Sequence, residues 1–409
     1  MSENSKTKLS FANGQRPEYI ANPYPLYEQL RTEDPVLWDE GVGGWVLTGH
    51  AEVMAALRDP RFSVTGFMAD TAWIPEEMLE TLGPAARALT RQMLFLDPPD
   101  HTRLRSLVAK AFTPRVVDAL RPRIQQIADE LLDAVQASGQ MDVMRDFAYP
   151  LPVIVIAEML GVPPGDRDQF VKWTGQFGAL LGGGNLTLED VFQALGGVSE
   201  FIEYFRQVIR QRHTAYKDDL LQAMISAEEQ GDVLSEDELL GNCVLLLAAG
   251  HGTTTHLIGN GTLALLQHSD QLQQLKDDPA LISAAVVELL RFDSPVQLTS
   301  RRAKEALEIG DKHIDAGQAV LMCLGGANRD PAQFAEPDQL NLRRRENRHL
   351  SFGHGIHFCL GAPLARVEGE IAFSTLLCRL QTLRLETETL EWTPSQVFRG
   401  LRELPVTFV

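Results

Sequence analysis

The sequence predicts a mainly α fold with a minor β portion, built as a single domain over residues 1–409. Three observations lead there. Apolar residues recur at helical spacing through most of the chain, strand-like pieces are few and short, and no Ser/Gly-rich linker, repeat or low-complexity block interrupts the pattern. Apolar content of 44% with 22% charged residues suits a globular protein with a large core.

The helical pattern covers 24–32, 51–58, 101–112, 116–137, 151–160, 166–177, 188–213, 235–267 and 279–292, and a last helix follows Cys359 to about 380. Strands are expected at 45–48, 307–309, 320–324 and 404–408. The run Gly182–Gly184, bounded by Leu180, Leu181 and Leu186, reads as a mobile lid between two helices.

Charge and cysteine usage exclude several classes. A net charge of −18 argues against nucleic acid and against an anionic membrane surface, both of which need excess Lys and Arg. The four cysteines, Cys243, Cys323, Cys359 and Cys378, are far apart and form no CxxC pair, which points to a reducing cytoplasm rather than a disulfide framework. Residues 1–17 are polar, so no signal peptide is expected, and the apolar stretches 151–162 and 244–250 are too short to span a membrane.

The most informative stretch is Phe352-Gly353-His354-Gly355-Ile356-His357-Phe358-Cys359-Leu360-Gly361. Two close glycines suit a tight loop whose backbone approaches a flat ligand. The residues after Cys359 read as a helix start, where free N–H groups and the helix dipole favour a thiolate able to bind iron. Alternatives remain: Cys359 as a small core residue, or a zinc cluster with His354 and His357, for which no fourth ligand stands at normal spacing. A dinucleotide loop is excluded, since no third glycine follows at the required offset.

A second stretch lies in the longest helix, which opens with the capping box Ser235/Glu238. Its middle reads Ala248-Ala249-Gly250-His251-Gly252-Thr253-Thr254-Thr255, followed by Gly259 and Gly261. Each interior glycine costs ~1 kcal/mol relative to Ala, so four of them require either close helix packing or a bulge that opens a ligand groove.

The pattern Phe-x-x-Gly-x-His-x-Cys-x-Gly resembles the haem-binding loop of the cytochrome P450 family, and the likeness extends from Asn22-Pro23-Tyr24-Pro25 to Leu404-Pro405-Val406. The resemblance implies a P450-like fold with haem b between the long central helix and the cysteine-loop helix. It implies that Cys359 is the proximal iron ligand, that Phe352 packs beside the thiolate within a loop closed by Gly361, and that His357, His101, Arg105 and Arg301 hold the propionates. Read alone, those basic residues are ordinary surface charges. Ala249 falls over the haem and Thr253 at the oxygen site. Gly252 stands where the family usually has Asp or Glu, which leaves His251 or water to deliver protons. Glu288 and Arg291, an i, i+3 pair, become with Arg344 a buried structural set rather than an exposed ion pair.

The same resemblance draws the pocket from Leu94, Leu181, Val296, Leu298, Val397 and Phe398, together with Phe67, Met68, Trp73, Ile74, Met78 and Leu180, though scattered apolar residues are equally core. It suits a large neutral substrate such as a polyketide, macrolide or terpenoid of secondary metabolism. No flavin or nicotinamide module fits within the chain, so electrons come from a separate ferredoxin and its reductase, docked on Arg343, Arg344, Arg345 and Arg348 with Arg103, Lys110 and Arg115. A monomer is expected. Two other functions stay open: a peroxide-driven or non-hydroxylating haem-thiolate enzyme, motivated by Gly252, and a haem-based ligand sensor.

Overall fold

The computed structural model describes residues 9–65, 83, 85–109, 112–166, 169, 170, 172, 173, 175, 176, 187–212, 214, 216, 217, 219–229, 234–387 and 389–409. The expected lid at 182–184, Leu181 and residues 167, 168, 171, 174 and 177 of the expected 166–177 helix lie outside the described residues, as do Phe67, Met68, Trp73, Ile74, Met78, Leu180 and Lys110.

Short helices α1 (Pro17–Ala21) and α2 (Tyr24–Glu33) lead into the hairpin β1 (Val36–Asp39) and β2 (Gly44–Leu47), then α3 (His50–Arg58) and β3 (Phe62–Ser63). Helices α4 (Asp100–Ala109) and α5 (Pro114–Gln136) follow. Thr113 caps α5 by accepting from the Val116 amide, and Pro at its first position needs no partner for an N–H. Then come β4 (Gln140–Asp142), a π-helical turn at Met144–Ala148, and helices α6 (Pro150–Met159), α7 (Leu188–Arg212) and α8 (Leu220–Glu229).

The remaining helices are α9 (Glu236–Gln267), α10 (Ser269–Asp277), α11 (Ile282–Phe292), α12 (Leu324–Ala327) and α13 (Ala362–Arg379). The later strands are β5 (Leu298–Ala303), β6 (Leu307–Ile309), β7 (Lys312–Ile314), β8 (Ala319–Cys323), β9 (Arg384–Leu385) and β10 (Pro405–Thr407). Strands pair as β1-β2-β8-β5-β3, β4-β10-β9 and β6-β7, with β2 and β8 parallel.

Helix α9 is the axis of the helical layer. It is buried almost continuously from Glu238 to Leu247 and from Leu257 to Leu265, and packs against α6, α7, α11 and α13. A helix apolar on all sides has to lie inside. Both halves of the expected capping box form: Glu238 N donates to Ser235 Oγ at 3.2 Å, and Ser235 N to Glu238 Oε2 at 2.8 Å.

The expected bulge is absent, because α9 stays α-helical throughout. Close packing accounts instead for two of its glycines. A Cβ at Gly261 would stand 2.5 Å from Phe373 Cζ, and one at Gly259 would overlap the Met144 sulfur. A Cβ at Gly252 would meet nothing within 4 Å.

Behind the cysteine loop, Glu288 and Arg291 are completely buried. Arg291 Nε and Nη2 each donate to the Glu288 carboxylate at 2.8 Å, joined by Arg344 Nε at 3.1 Å, Asn347 Nδ2 at 2.9 Å and the Asn341 amide at 3.0 Å. The remaining Arg291 donors reach the carbonyls of Asn328, Pro337 and Gln339. Breaking one partner of such a set strands the other charge without water. Glu288→Ala is therefore expected to lower unfolding free energy by about 3–5 kcal/mol, read from the urea midpoint, with reduced haem content in the purified protein.

Candidate active site

The cysteine loop is a clamp between α3 and α13. Gly353 and Gly355 both adopt positive φ, +66° and +73°, which L side chains rarely tolerate. A Cβ at Gly355 would also overlap the Leu57 carbonyl at the end of α3. The Cys359 amide donates to Phe352 O at 2.9 Å and closes the loop, while the Arg366 guanidinium lies 5.2 Å from the Phe352 ring centre.

The four cysteines divide by environment. Cys243 and Cys323 are fully buried, and burial pushes each thiol up to about 12, as fits small core residues. Cys378 is exposed and Cys359 is half-buried. Burial raises the Cys359 thiol too, opposed by the N–H groups of Gly361 and Ala362 at the start of α13 and by the guanidinium of Arg105. A bound cation deprotonates a coordinating thiol outright. Among the described residues no cluster of His, Cys, Asp and Glu converges for a metal. His354 instead turns Nδ1 back to accept from the Gly355 amide at 2.7 Å, which leaves the zinc alternative without a ligand set.

Around Cys359 the fold gathers basic side chains from α4, β5 and the loop. His101 is buried with neither ring nitrogen bonded, and its ring centre lies 4.2 Å from that of His357, whose Nε2 is also buried and unpartnered. Arg105 donates to Phe358 O. Arg301 is 9% exposed and bonds only Thr299 Oγ1 and Ser300 O among the described residues, and burial lowers it to about 10. The nearby carboxylate, Asp97, is taken up by Ser63 Oγ and the Val64 amide. Burying that much uncompensated basicity is costly unless anionic oxygens complete it, so the residues fit a group that carries carboxylates.

On α9, Ala249 is exposed and Gly252 and Thr253 half-buried, so these three share an open face. Thr253 Oγ1 donates to Ala249 O at 2.9 Å. His251 lies on the opposite side, its ring packed edge-on against Tyr149 at 4.3 Å, with Nε2 buried and unbonded. Burial lowers it to about 3, so it is neutral and turned away from the face it was expected to serve.

Glu368, which the sequence reasoning missed, is buried on α13 with Oε2 unpartnered. Burial pushes it up to about 8 against a weaker opposing hydrogen bond from Thr254. A Glu nine residues past a cysteine on a helix carries no mark of burial in sequence; only the packing of α13 on α9 reveals it.

Of the pocket residues, Val296, Val397 and Phe398 come together: Val296 bridges Phe398, and Gln297 N donates to Val397 O at 2.8 Å, while Leu298 packs against the core around Phe11, Leu26 and Tyr27. Leu94 is 39% exposed. Within the loop, Ile356 and Phe358 are exposed at 51% and 40%, and Arg345, Arg348 and Arg115 are exposed as well. Arg343 pairs with Asp278 at 3.0 Å and Arg103 with Glu238 at 2.6 Å, while Arg344 belongs to the Glu288 set. No helix among the described residues is long and apolar enough to cross a membrane.

A helical body with a cysteine offered from a glycine loop under a long helix defines the class of haem-thiolate oxidoreductases. The family model for cytochrome P450 matches residues 79–399. The chain is 44% identical over 413 residues to cytochrome P450 CYP107DY1 of Priestia megaterium, covering 98% of this chain and all of the relative. It is 41% identical over 401 residues to the polyketide biosynthesis cytochrome P450 PksS of Bacillus subtilis, covering 95% of this chain and 96% of that one. Among solved structures, P450BioI in complex with an acyl carrier protein superposes with a TM-score of 0.89 at 38% identity, over 96% of this chain and 99% of the other. The chain belongs to the cytochrome P450 family: it is a monooxygenase that uses haem b.

A folded-state value near 8 means that native Glu368 retains its proton where the unfolded chain, near 4.5, has lost it. Stability from this group is fully present below about 4.5 and falls as pH rises toward 8, by roughly 1.4 kcal/mol per pH unit at most. Glu368→Gln is expected to flatten that part of the stability curve, measured by thermal unfolding from pH 5 to pH 9 against wild type.

Proposed function

We propose that this monooxygenase inserts one atom of O2 into a large, neutral, apolar small molecule, a polyketide, macrolide or terpenoid, in a single catalytic unit spanning residues 1–409. The observation that carries the reading is the set of buried basic side chains around Cys359, three of whose imidazole nitrogens have no partner among the described residues. Cys359 would bind the iron and His101, His357, Arg105 and Arg301 the propionates, with Phe352 beside the sulfur. When bound, the haem supplies oxygen activation and the oxidising power for insertion.

The chain's own residues do the rest. Val296, Val397 and Phe398 wall an apolar space that excludes water and orients the substrate. The substrate class is supported by the likeness to PksS, a cytochrome P450 of polyketide biosynthesis. Thr253 holds a hydroxyl proton at Oγ1, directed to Ala249 O, and Glu368 holds a carboxylic proton at neutral pH on the far side of α9. Electrons come from a separate ferredoxin and its reductase, docked on exposed Ile356 and Phe358 with Arg345, Arg348 and Arg115 at the rim. A cytoplasmic monomer fits this reading.

Gly252 favours a second reading, a haem-thiolate enzyme driven by peroxide or carrying out non-hydroxylating chemistry, because no acid stands on the open face of α9 beside Thr253.

The first test is spectroscopic. Cys359→Ser should abolish the red-shifted band of the reduced carbon monoxide complex, whereas Cys243, Cys323 and Cys378 should be replaceable with it intact; a band that survives in Cys359→Ser overturns the assignment. The second concerns coupling. A carboxylate at 252 has room, so Gly252→Glu should fold and raise product per reducing equivalent, by far less than the 10²–10⁴-fold typical of a well-placed general acid. Thr253→Ala should raise peroxide release with haem content unchanged. Turnover on added peroxide but not on reduced ferredoxin would establish the second reading.

A further inference from the structure

The open face of α9 continues past Thr253. Between Gly241 and Leu265 the helix is buried everywhere except at 248–250, 252, 253 and 256. Ala249, Gly252, Thr253 and His256 stand at i, i+3, i+4 and i+7, which is one stripe of a helix. His256 closes its C-terminal end.

The imidazole is seated by its surroundings. A Cβ at Gly400 would overlap the His256 ring at Nδ1, Cγ and Cε1. Gly400 does not have a positive φ, so glycine is needed there for the ring and not for the backbone. The turn that carries it is pinned to the helix and to the pocket wall: Asn260 Nδ2 donates to Arg399 O at 2.9 Å, and Arg399 N to Pro295 O at 2.9 Å. His256 therefore lies where the stripe meets Val296, Val397 and Phe398.

Among the described residues one nitrogen of this ring is left unsatisfied. Its Nδ1 is buried without a partner. Burial alone lowers the group, to about 4, so it is a neutral imidazole with one donor and one acceptor nitrogen at pH 7. The residue is half-buried, and with Nδ1 shut in against Gly400 the nitrogen left to meet a ligand is Nε2.

We propose that His256 determines specificity: its imidazole Nε2–H donates to a ketone or hydroxyl oxygen of an otherwise apolar substrate, fixing which end of the molecule lies against the 396–400 turn and so which carbon lies beside Thr253. The proposal deepens the monooxygenase reading and rests on it.

The experiment uses haem-loaded wild type, His256→Phe, His256→Gln and Gly400→Ala, titrated with cyclododecanone and with cyclododecane, the same ring without the oxygen. Binding is read from the haem spin-state shift. The ketone should bind about three- to tenfold more weakly to His256→Phe, with hydrocarbon binding unchanged, and His256→Gln should keep most of the ketone affinity. Gly400→Ala, which keeps the imidazole but drives it off its seat, should also lose the ketone selectively. Equal weakening of both probes, an unchanged ketone-to-hydrocarbon ratio, or no ketone binding by wild type overturns the proposal. The reduced carbon monoxide spectrum of the same samples separates the failures: a missing red-shifted band in wild type sinks the haem-thiolate reading, and an intact band with an unchanged ratio sinks only the role of His256.

Discussion

A buried carboxylate that has to be neutralised organises this molecule. Glu288 sits inside α11, where water cannot reach it, and five donors from Arg291, Arg344, Asn347 and the Asn341 amide compensate it. Because Arg344, Asn347 and the Asn341 amide come from the segment that precedes the cysteine loop, satisfying one charge also fixes the path of residues 341–347 against the helical layer. Arg291 extends the constraint through the carbonyls of Asn328, Pro337 and Gln339. The Cys359 loop is built on this foundation, and its glycines then only have to turn the chain back toward α13.

What could be read from sequence follows from what is local. The long helices were legible because periodicity and caps are local: the 235–267 helix was expected with its capping box, and α9 has both. The cysteine loop was legible because positive φ at Gly353 and Gly355 leaves a compositional trace. Most of the sheet was not. Leu298–Ala303 carries Thr, Ser and two arginines, and it is a central strand only because β8 and β3 flank it. The short helices α8 and α10 and the π-helical turn at Met144–Ala148 were not read from the sequence; all three pack against α9.

The site shows the same division. That His101 and Arg105 share a helix face is a matter of spacing, but that His101 meets His357 depends on docking α4 against the loop. His251 was a candidate by adjacency to Gly252, yet one residue along a helix is a rotation of about 100°, enough to turn the ring to Tyr149. His256, four residues beyond Gly252, lies back on the open face. Adjacency in sequence misled where periodicity would have served. Glu368 was invisible because nothing around it in sequence distinguishes a buried acid from an exposed one.

The way the chain's two ends interlock bears on how it is made. β2 pairs in parallel with β8, Arg399 holds the carbonyls of Ile20 and Ala21, and Gln396 Nε2 donates to Phe11 O across 385 positions. During synthesis the first strands emerge long before their partners exist, while α9 and the helices on either side of it become available together. Strand β2 has to wait for residues 319–323 before it can pair with β8, and the contacts to Phe11, Ile20 and Ala21 wait longer still, for residues 396–399. Until then Val46 and Leu47, fully buried in the finished protein, are exposed on an unpaired edge. That waiting edge is the point at which a nascent chain of this architecture is most exposed to aggregation, and it makes yield sensitive to the rate of translation through the final third of the message.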